Sequence, residues 1–572
     1  MSKRIKKALC LLLAAAMCVS LAGCTPIFNY GDEGSSSKPA VEHIEHIVIG
    51  TTAVPDDVSI LERFGSLGEF SCTCAVNASL FVRGEFHKIR GYFALDYAVS
   101  DDAREIRIAF PTTFKWHDGE PVTFDDLVYT LEYRRDALKD EALATLKEIR
   151  KTADNQAVLV FSGPDAYKYL RSDSALAPIL PKHIWDNNAA IYGADAKIAG
   201  YNVGCGPYKV ASVGADTVEL ELFPGNDYLG EARIDKITLK TYPDKEALVN
   251  ALAAHEIDYI YDYDQPLDYT QTELFKDKED LDPGSFYGLD ADVAIFHETL
   301  ADVSTPEFRN AVLLSIDWNA LRELFCGSTG SVASPGLLPP SAMGYDDSYG
   351  TFATDREEAA RQLEKAGFKD VNGDGTRELP DGRGFTFTIV SENLPDRQEL
   401  YEKAAAIMIA GLKEVGIKAQ FVGPIQYAFV PDDTDTPEFP AEAPEDTSGE
   451  APEEVSGYHY ELLLTRSSGG KDIFRTVASS ILESWGDAIP ESGYYTDLAG
   501  QIGALRSSLN DDEYMQKAKD LQKLISERLY GFALCWEEYF FPYRTDEFEG
   551  QSFLPDTGEV NYMLFYKIKN KQ

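Results

Sequence analysis

The chain has 572 residues, too many for one hydrophobic core, so several domains or lobes are expected. Apolar residues make up 44% and charged residues 26%, the balance of an ordinary globular protein rather than a disordered or fibrous one. The net charge of −42 argues against a nucleic-acid partner and against a surface lying on anionic lipid, and favours solubility outside the cell.

The first 23 residues read as an export signal. Lys3, Arg4, Lys6 and Lys7 form a basic start, an apolar run follows from Ala8 to Ala22, and small residues lead to Cys24. The run is about 15 residues, short of the ~20 that a spanning helix needs. Leu21-Ala22-Gly23-Cys24 resembles the bacterial lipobox. That resemblance implies cleavage before Cys24, a diacylglycerol on its thiol, and a mature chain tethered to the outer face of the cell membrane. Residues 24–41, with Gly-Asp-Glu-Gly-Ser-Ser-Ser-Lys-Pro, read as a flexible tether. Of eight Cys, Cys10 and Cys18 leave with the leader and Cys24 is the lipid site. Cys72, Cys74, Cys205, Cys326 and Cys535 remain, an odd number, so disulfides are not the main staple and small buried hydrophobes are expected.

A globular body starts with the strand-like His46-Ile47-Val48-Ile49-Gly50-Thr51-Thr52, and strands then alternate with helices. Glu105–Phe110 and Ala157–Phe161 read as strands. Phe124–Arg135 has helical apolar spacing at Leu127, Val128 and Leu131, with Asp125 as its start. Further amphipathic helices are expected over Pro306–Leu324, Arg356–Ala366, Glu399–Val415 and Asp512–Leu529. Residues 431–457 differ in kind: ten acids, no bases and five prolines cannot bury enough apolar surface to offset ordering entropy, so a disordered surface insertion is expected.

Five blocks, in order, resemble the family-5 extracellular solute-binding proteins, the dipeptide- and oligopeptide-binding lipoproteins of ABC importers. They are HIVIGTTAVPDDVSIL (46–61), the stretch 96–136 with its Trp116-His117-Asp118-Gly119 turn and Asp125-Asp126, NVGCGPYKV (202–210), residues 304–340, and residues 355–390. The resemblance implies an α/β, two-lobed periplasmic-binding-protein-like fold with an extra subsidiary domain. Lobe I would combine 42–70, 201–290 and 530–572, the subsidiary domain 71–200, and lobe II 291–529. It also implies capture of a peptide or another small solute by lobe closure, and delivery to a permease and its ATPase. An opine, sugar or metal chelate is the alternative ligand class, and a surface lipoprotein binding a polymer the alternative role.

In peptide binders of this family an acid follows an aromatic in a stretch like W-x-x-D-Y-x-x-P. The corresponding stretch here, 460–477, lacks that aromatic and Pro; Asp472 is its nearest acid and Arg466 its nearest base. Trp485 and Asp487 are an alternative pairing for the same job. Tyr259, Tyr261 and Tyr263 alternate, so they share one face of a strand, as a ligand floor or as core. Asp370, Asn372, Asp374, Thr376, Glu378 and Asp381 have the oxygen spacing of a calcium loop, with Asp where the longer Glu is usual, which makes a structural calcium the one cofactor to consider. No nucleophile elbow, zinc-protease motif or phosphate loop marks an enzyme.

Overall fold

The computed structural model describes residues 42–55, 70, 73–84, 87–186, 202–262, 266–288, 290–297, 302–425, 460–467, 493–550, 552–554 and 557–571. The leader, Cys24, the 431–457 insertion, Cys72, Tyr263, Asp472, Trp485 and Asp487 lie outside the described residues.

The opening strand, Ile44–Thr51, buries Ile44, Ile47 and Ile49. It lies in a seven-stranded sheet in the order Leu281–Asp282, Tyr543–Arg544, Tyr259–Ile260, Ile44–Thr51, Ile234–Thr241, Thr217–Leu222 and Tyr208–Val213. It runs parallel to both neighbours, pairing Ile47 with Ile237 and Ile49 with Tyr259. Parallel neighbours need a crossover, and the helix Lys245–Ala253 supplies one, its Leu248, Val249 and Leu252 packed beneath the sheet.

A second, antiparallel sheet of four strands holds Asp96–Val99, Glu105–Ala109, Gln156–Phe161 and Leu146–Ala153. Ile106 and Ile108 alternate inward, and the helix Phe124–Asp136 adds Leu127 and Leu131 to the same core. The helix begins at Phe124 because Thr123, not Asp125, caps it. The Asp126 carboxylate accepts from both the Thr123 backbone N–H and its hydroxyl, each at 2.8 Å.

A third sheet runs Ala419–Ile425, Phe387–Glu392, Leu462–Ser467, Ala291–Phe296 and Gly531–Ala533. Ala291–Phe296 is buried along its whole length, as expected of a strand covered on both faces. The expected helix 306–324 is two helices, Pro306–Ser315 and Trp318–Cys326. Asp317 breaks the run by accepting from the Ala320 N–H, which restarts the helix. Helices Arg356–Lys365, Gln398–Glu414 and Asp511–Arg528 lie within a residue of the expected bounds. The last strand of this sheet, Gly531–Ala533, shows that the chain returns to the first sheet after 533, later than the expected 530.

Two short strands join the first and third sheets. Ser285–Tyr287 leads from the first to the third, Glu538–Phe540 leads back, and they pair antiparallel. Two of the sequence blocks also meet. The His117 ring donates from Nε2 to the Gly206 carbonyl (3.1 Å) and accepts at Nδ1 from the Gly204 N–H (3.2 Å). A Cβ at Gly204 would stand 2.0 Å from the Val76 carbonyl oxygen, and one at Gly206 2.2 Å from that of Ala75. The glycines of NVGCGPYKV are therefore there for close backbone approach.

Candidate functional site

Arg466 lies near the end of the strand Leu462–Ser467, and its strand neighbour is Asp292. Its guanidinium reaches the Asp292 carboxylate at 3.0 Å, Glu537 at 3.5 Å and the Tyr539 hydroxyl at 3.1 Å. Asp292 has a side chain with no exposed surface, in a strand whose other five residues are all apolar. A buried carboxylate needs partners. Asp292 has three: Arg466, the Tyr401 hydroxyl donating at 2.7 Å, and Arg397 at 3.4 Å. Arg397, just ahead of the helix Gln398–Glu414, also faces Glu537 at 3.8 Å, and its buried Nε donates no hydrogen bond among the described residues. Glu537 sits between the strand Gly531–Ala533 and the joining strand Glu538–Phe540. The Tyr539 hydroxyl donates to it at 3.1 Å, and its backbone carbonyl accepts from the Gly288 N–H at 3.1 Å.

The cluster thus gathers two carboxylates, two guanidiniums and two phenols where both joining strands leave the third sheet. Burial, reinforced by the Asp292 carboxylate, pushes the Glu537 carboxyl above its ordinary range, against the pull of Arg466 and Arg397. Burial alone would lower Arg466, but Asp292 and Glu537 outweigh it and hold the guanidinium charged. Each buried carboxylate thus faces guanidinium groups, as burial requires.

Of the sequence candidates, Arg466 belongs to this cluster. Tyr261 does not line a surface: it is 2% exposed and packs on Phe70 and Phe541, with ring centroids 5.9 Å away in each case. Its strand ends at Ile260, and Tyr259 is likewise buried, stacked on Tyr543. These tyrosines are core in this arrangement, because the first sheet is covered on the face they share.

In the loop 370–381 the carboxylates accept from the loop's own backbone. The Asp370 carboxylate accepts from the N–H groups of Gly373, Asp374 and Gly375, and Asp374 accepts from that of Thr376. Glu378 accepts from the Val371 N–H and the Asn372 amide. Asp381 turns to the Arg383 guanidinium at 2.6 Å. Among the described residues no three His, Cys, Asp or Glu side chains are grouped to hold a metal ion. The spacing is that of a calcium loop, and its twelfth position, Asp381, is paired with Arg383.

Asp292, Arg397, Tyr401, Glu537 and Tyr539 escaped the sequence reading. The one available signal was an acid inside the apolar run Ala291–Phe296. Its partners come from segments more than a hundred residues away, apart from each other in the chain.

The profile of the bacterial extracellular solute-binding proteins, family 5 (middle region), matches residues 88–444. The oligopeptide-binding protein AppA of Bacillus subtilis (strain 168) is 26% identical over 326 residues, 54% of this chain and 56% of that protein. The chain spans about half the length of the curated relatives it matches. Among solved structures, an ABC transporter substrate-binding protein from Sinorhizobium meliloti superposes with a TM-score of 0.69 at 16% identity, covering 92% of this chain and all of that one. AppA from Bacillus subtilis in complex with a nonapeptide gives 0.54 at 17%, covering 93% of this chain and all of that one. With its α/β lobes and joining strands, the chain belongs to the family-5 bacterial extracellular solute-binding proteins.

Proposed function

We propose that this chain is the binding component of an ABC importer, held at the outer face of the membrane through a lipid on Cys24, which captures a peptide or another small charged solute and delivers it to a permease. The supporting observation is the Asp292–Arg397–Arg466–Glu537 cluster at the joining strands, where lobe movement and ligand charge can be coupled. Paired cations and acids suit a ligand with both an ammonium and a carboxylate, the ends of a peptide. Relatives named for oligopeptide binding favour the same class. No reaction is involved; binding and closure are the whole activity.

A second contact, between the subsidiary domain and lobe II, supports closure. Tyr167, beyond the second sheet, donates to Asp511 at 2.7 Å, and the Arg171 guanidinium stacks 4.4 Å from the Tyr514 ring. His87 reaches the Ser341 carbonyl at 2.9 Å. These side-chain contacts can form and part without unfolding either lobe.

The absent aromatic and Pro in 460–477 favour a second reading within the class, a non-peptide solute such as an opine, sugar or metal chelate. Native mass spectrometry of the purified protein separates the readings. A co-purifying peptide series that Arg466→Ala abolishes supports peptide capture. A single non-peptide mass supports the second reading. Loss of neither species in Arg466→Ala would remove the cluster from the binding role. For the anchor, Cys24→Ser is expected to release the protein from the membrane while leaving ligand binding unchanged, and membrane retention would count against it.

A further inference from the structure

Two sulfurs lie in contact inside lobe II. Cys326 is the last residue of the helix Trp318–Cys326, and Cys535 follows the strand Gly531–Ala533. Each is 1% exposed, and their Sγ atoms are 3.0 Å apart. That is closer than the ~3.5–4.0 Å of ordinary non-bonded heavy-atom contact, and about 1 Å from bonding distance. The surroundings are built for closeness. Gly330 turns at a φ of 64°, and a Cβ there would stand 2.8 Å from the Cys326 sulfur and 2.6 Å from the Trp536 carbonyl oxygen. Ser331 and Trp536 exchange backbone hydrogen bonds alongside, at 3.0 and 2.9 Å. The other described thiols have different neighbours: Cys74 meets the Ser79 hydroxyl and Cys205 the Tyr228 hydroxyl.

We propose that Cys326 and Cys535 are joined as a disulfide in the exported protein, and that this bond fixes the segment that carries Glu537 into the charged cluster. The family is extracellular, where disulfides form and persist. The chemistry is thiol–disulfide exchange with a protein disulfide of the export compartment. Two S–H bonds and the oxidant's S–S bond break and one S–S bond forms; the two protons and two electrons pass to the oxidant's sulfurs, which leave as a dithiol. Burial pushes the Cys535 thiol well up, so thiolate is scarce once the lobe has closed over it. The bond therefore forms before burial, and burial afterwards shields it from reductants. The crosslink spans 209 residues of sequence, a long loop to remove from the unfolded ensemble. Both sulfurs lie in one lobe's core, so the bond leaves lobe closure free. The proposal stands apart from the ligand reading, since it concerns only the covalent state of lobe II.

The test uses full-length protein exported to an oxidising compartment and purified without reductant. It is unfolded in denaturant with an alkylating agent and then mapped by mass spectrometry. A cross-linked peptide pair containing positions 326 and 535, which separates on reduction, is expected. Recovery of both residues fully alkylated, or linkage of either to another Cys, would overturn the proposal. Melting provides the second arm. Reductant during refolding is expected to lower the melting midpoint of the wild type by several degrees and to leave the double variant Cys326→Ala, Cys535→Ala unmoved. Equal sensitivity of both proteins would overturn it.

Discussion

Asp292 is the most consequential single residue of the cluster. Its side chain is fully buried, and it is held by Arg466 at 3.0 Å and by the Tyr401 hydroxyl at 2.7 Å. Breaking a buried pair from one side costs more than never having had it, because the remaining charge stays desolvated. Asp292→Asn leaves Arg466 with Glu537, whose carboxyl is already pushed toward its neutral form. The expected loss is about 3–5 kcal/mol, read as a lower urea midpoint with an unchanged slope. An unchanged midpoint would mean that the Asp292–Arg466 pair adds nothing to stability. The sequence made Arg466 visible, because a base stood in the expected stretch. It hid Asp292 and Glu537, because an acid shows its partners only after its strands have paired.

At the scale of elements, the His117 clasp explains why two separated blocks occur together. The ring donates to the Gly206 carbonyl and accepts from the Gly204 N–H, so only the neutral imidazole makes both bonds. Burial lowers its pKa from 6.5 to about 4. A depressed folded-state pKa means the unfolded chain takes up the proton first as pH falls. The clasp's contribution is therefore complete above pH 6.5 and is lost as pH falls toward 4. The size of that limb is on the order of 3 kcal/mol. His117→Gln is expected to melt below the wild type at pH 7 and to converge with it near pH 4, as followed by circular dichroism across pH. A constant gap across that range would show that the ring does not titrate as a buried group. Most helices were readable from apolar periodicity. The break between Pro306–Ser315 and Trp318–Cys326 was not, because Asp317 continues the polar face of the pattern while its side chain caps a new helix. The loop 370–381 shows its oxygen spacing in the sequence, while the backbone N–H groups and the Arg383 guanidinium that its carboxylates meet appear only in the fold.

For the whole molecule, two kinds of link to lobe II divide the work. The strands Ser285–Tyr287 and Glu538–Phe540 are continuous backbone and hold in any state. The contacts of Tyr167 with Asp511 and of Arg171 with Tyr514 are side-chain only. Each is worth about 1 kcal/mol, so removing both should raise the open-to-closed ratio by on the order of 30-fold. The double variant Tyr167→Phe, Arg171→Ala is expected to show a larger radius of gyration by small-angle X-ray scattering without ligand, and to return to the wild-type value with saturating ligand. Identical scattering of the two free proteins would remove these contacts from closure.

The sequence by itself determined the class of molecule. Binary patterning, caps and glycines act within a few residues of themselves, so strands such as Ile44–Thr51, helices such as Gln398–Glu414 and the motif order behind the family resemblance were all legible in the chain. The tertiary structure decided everything that depends on distant residues meeting. It placed Tyr259 and Tyr261 in the core rather than on a ligand floor, set Asp292 against Arg466 and Glu537, and brought Cys326 to Cys535. The reason is physical: burial and charge pairing are properties of neighbours in space, and here those neighbours come from segments as distant in sequence as Tyr167 and Asp511, 344 residues apart.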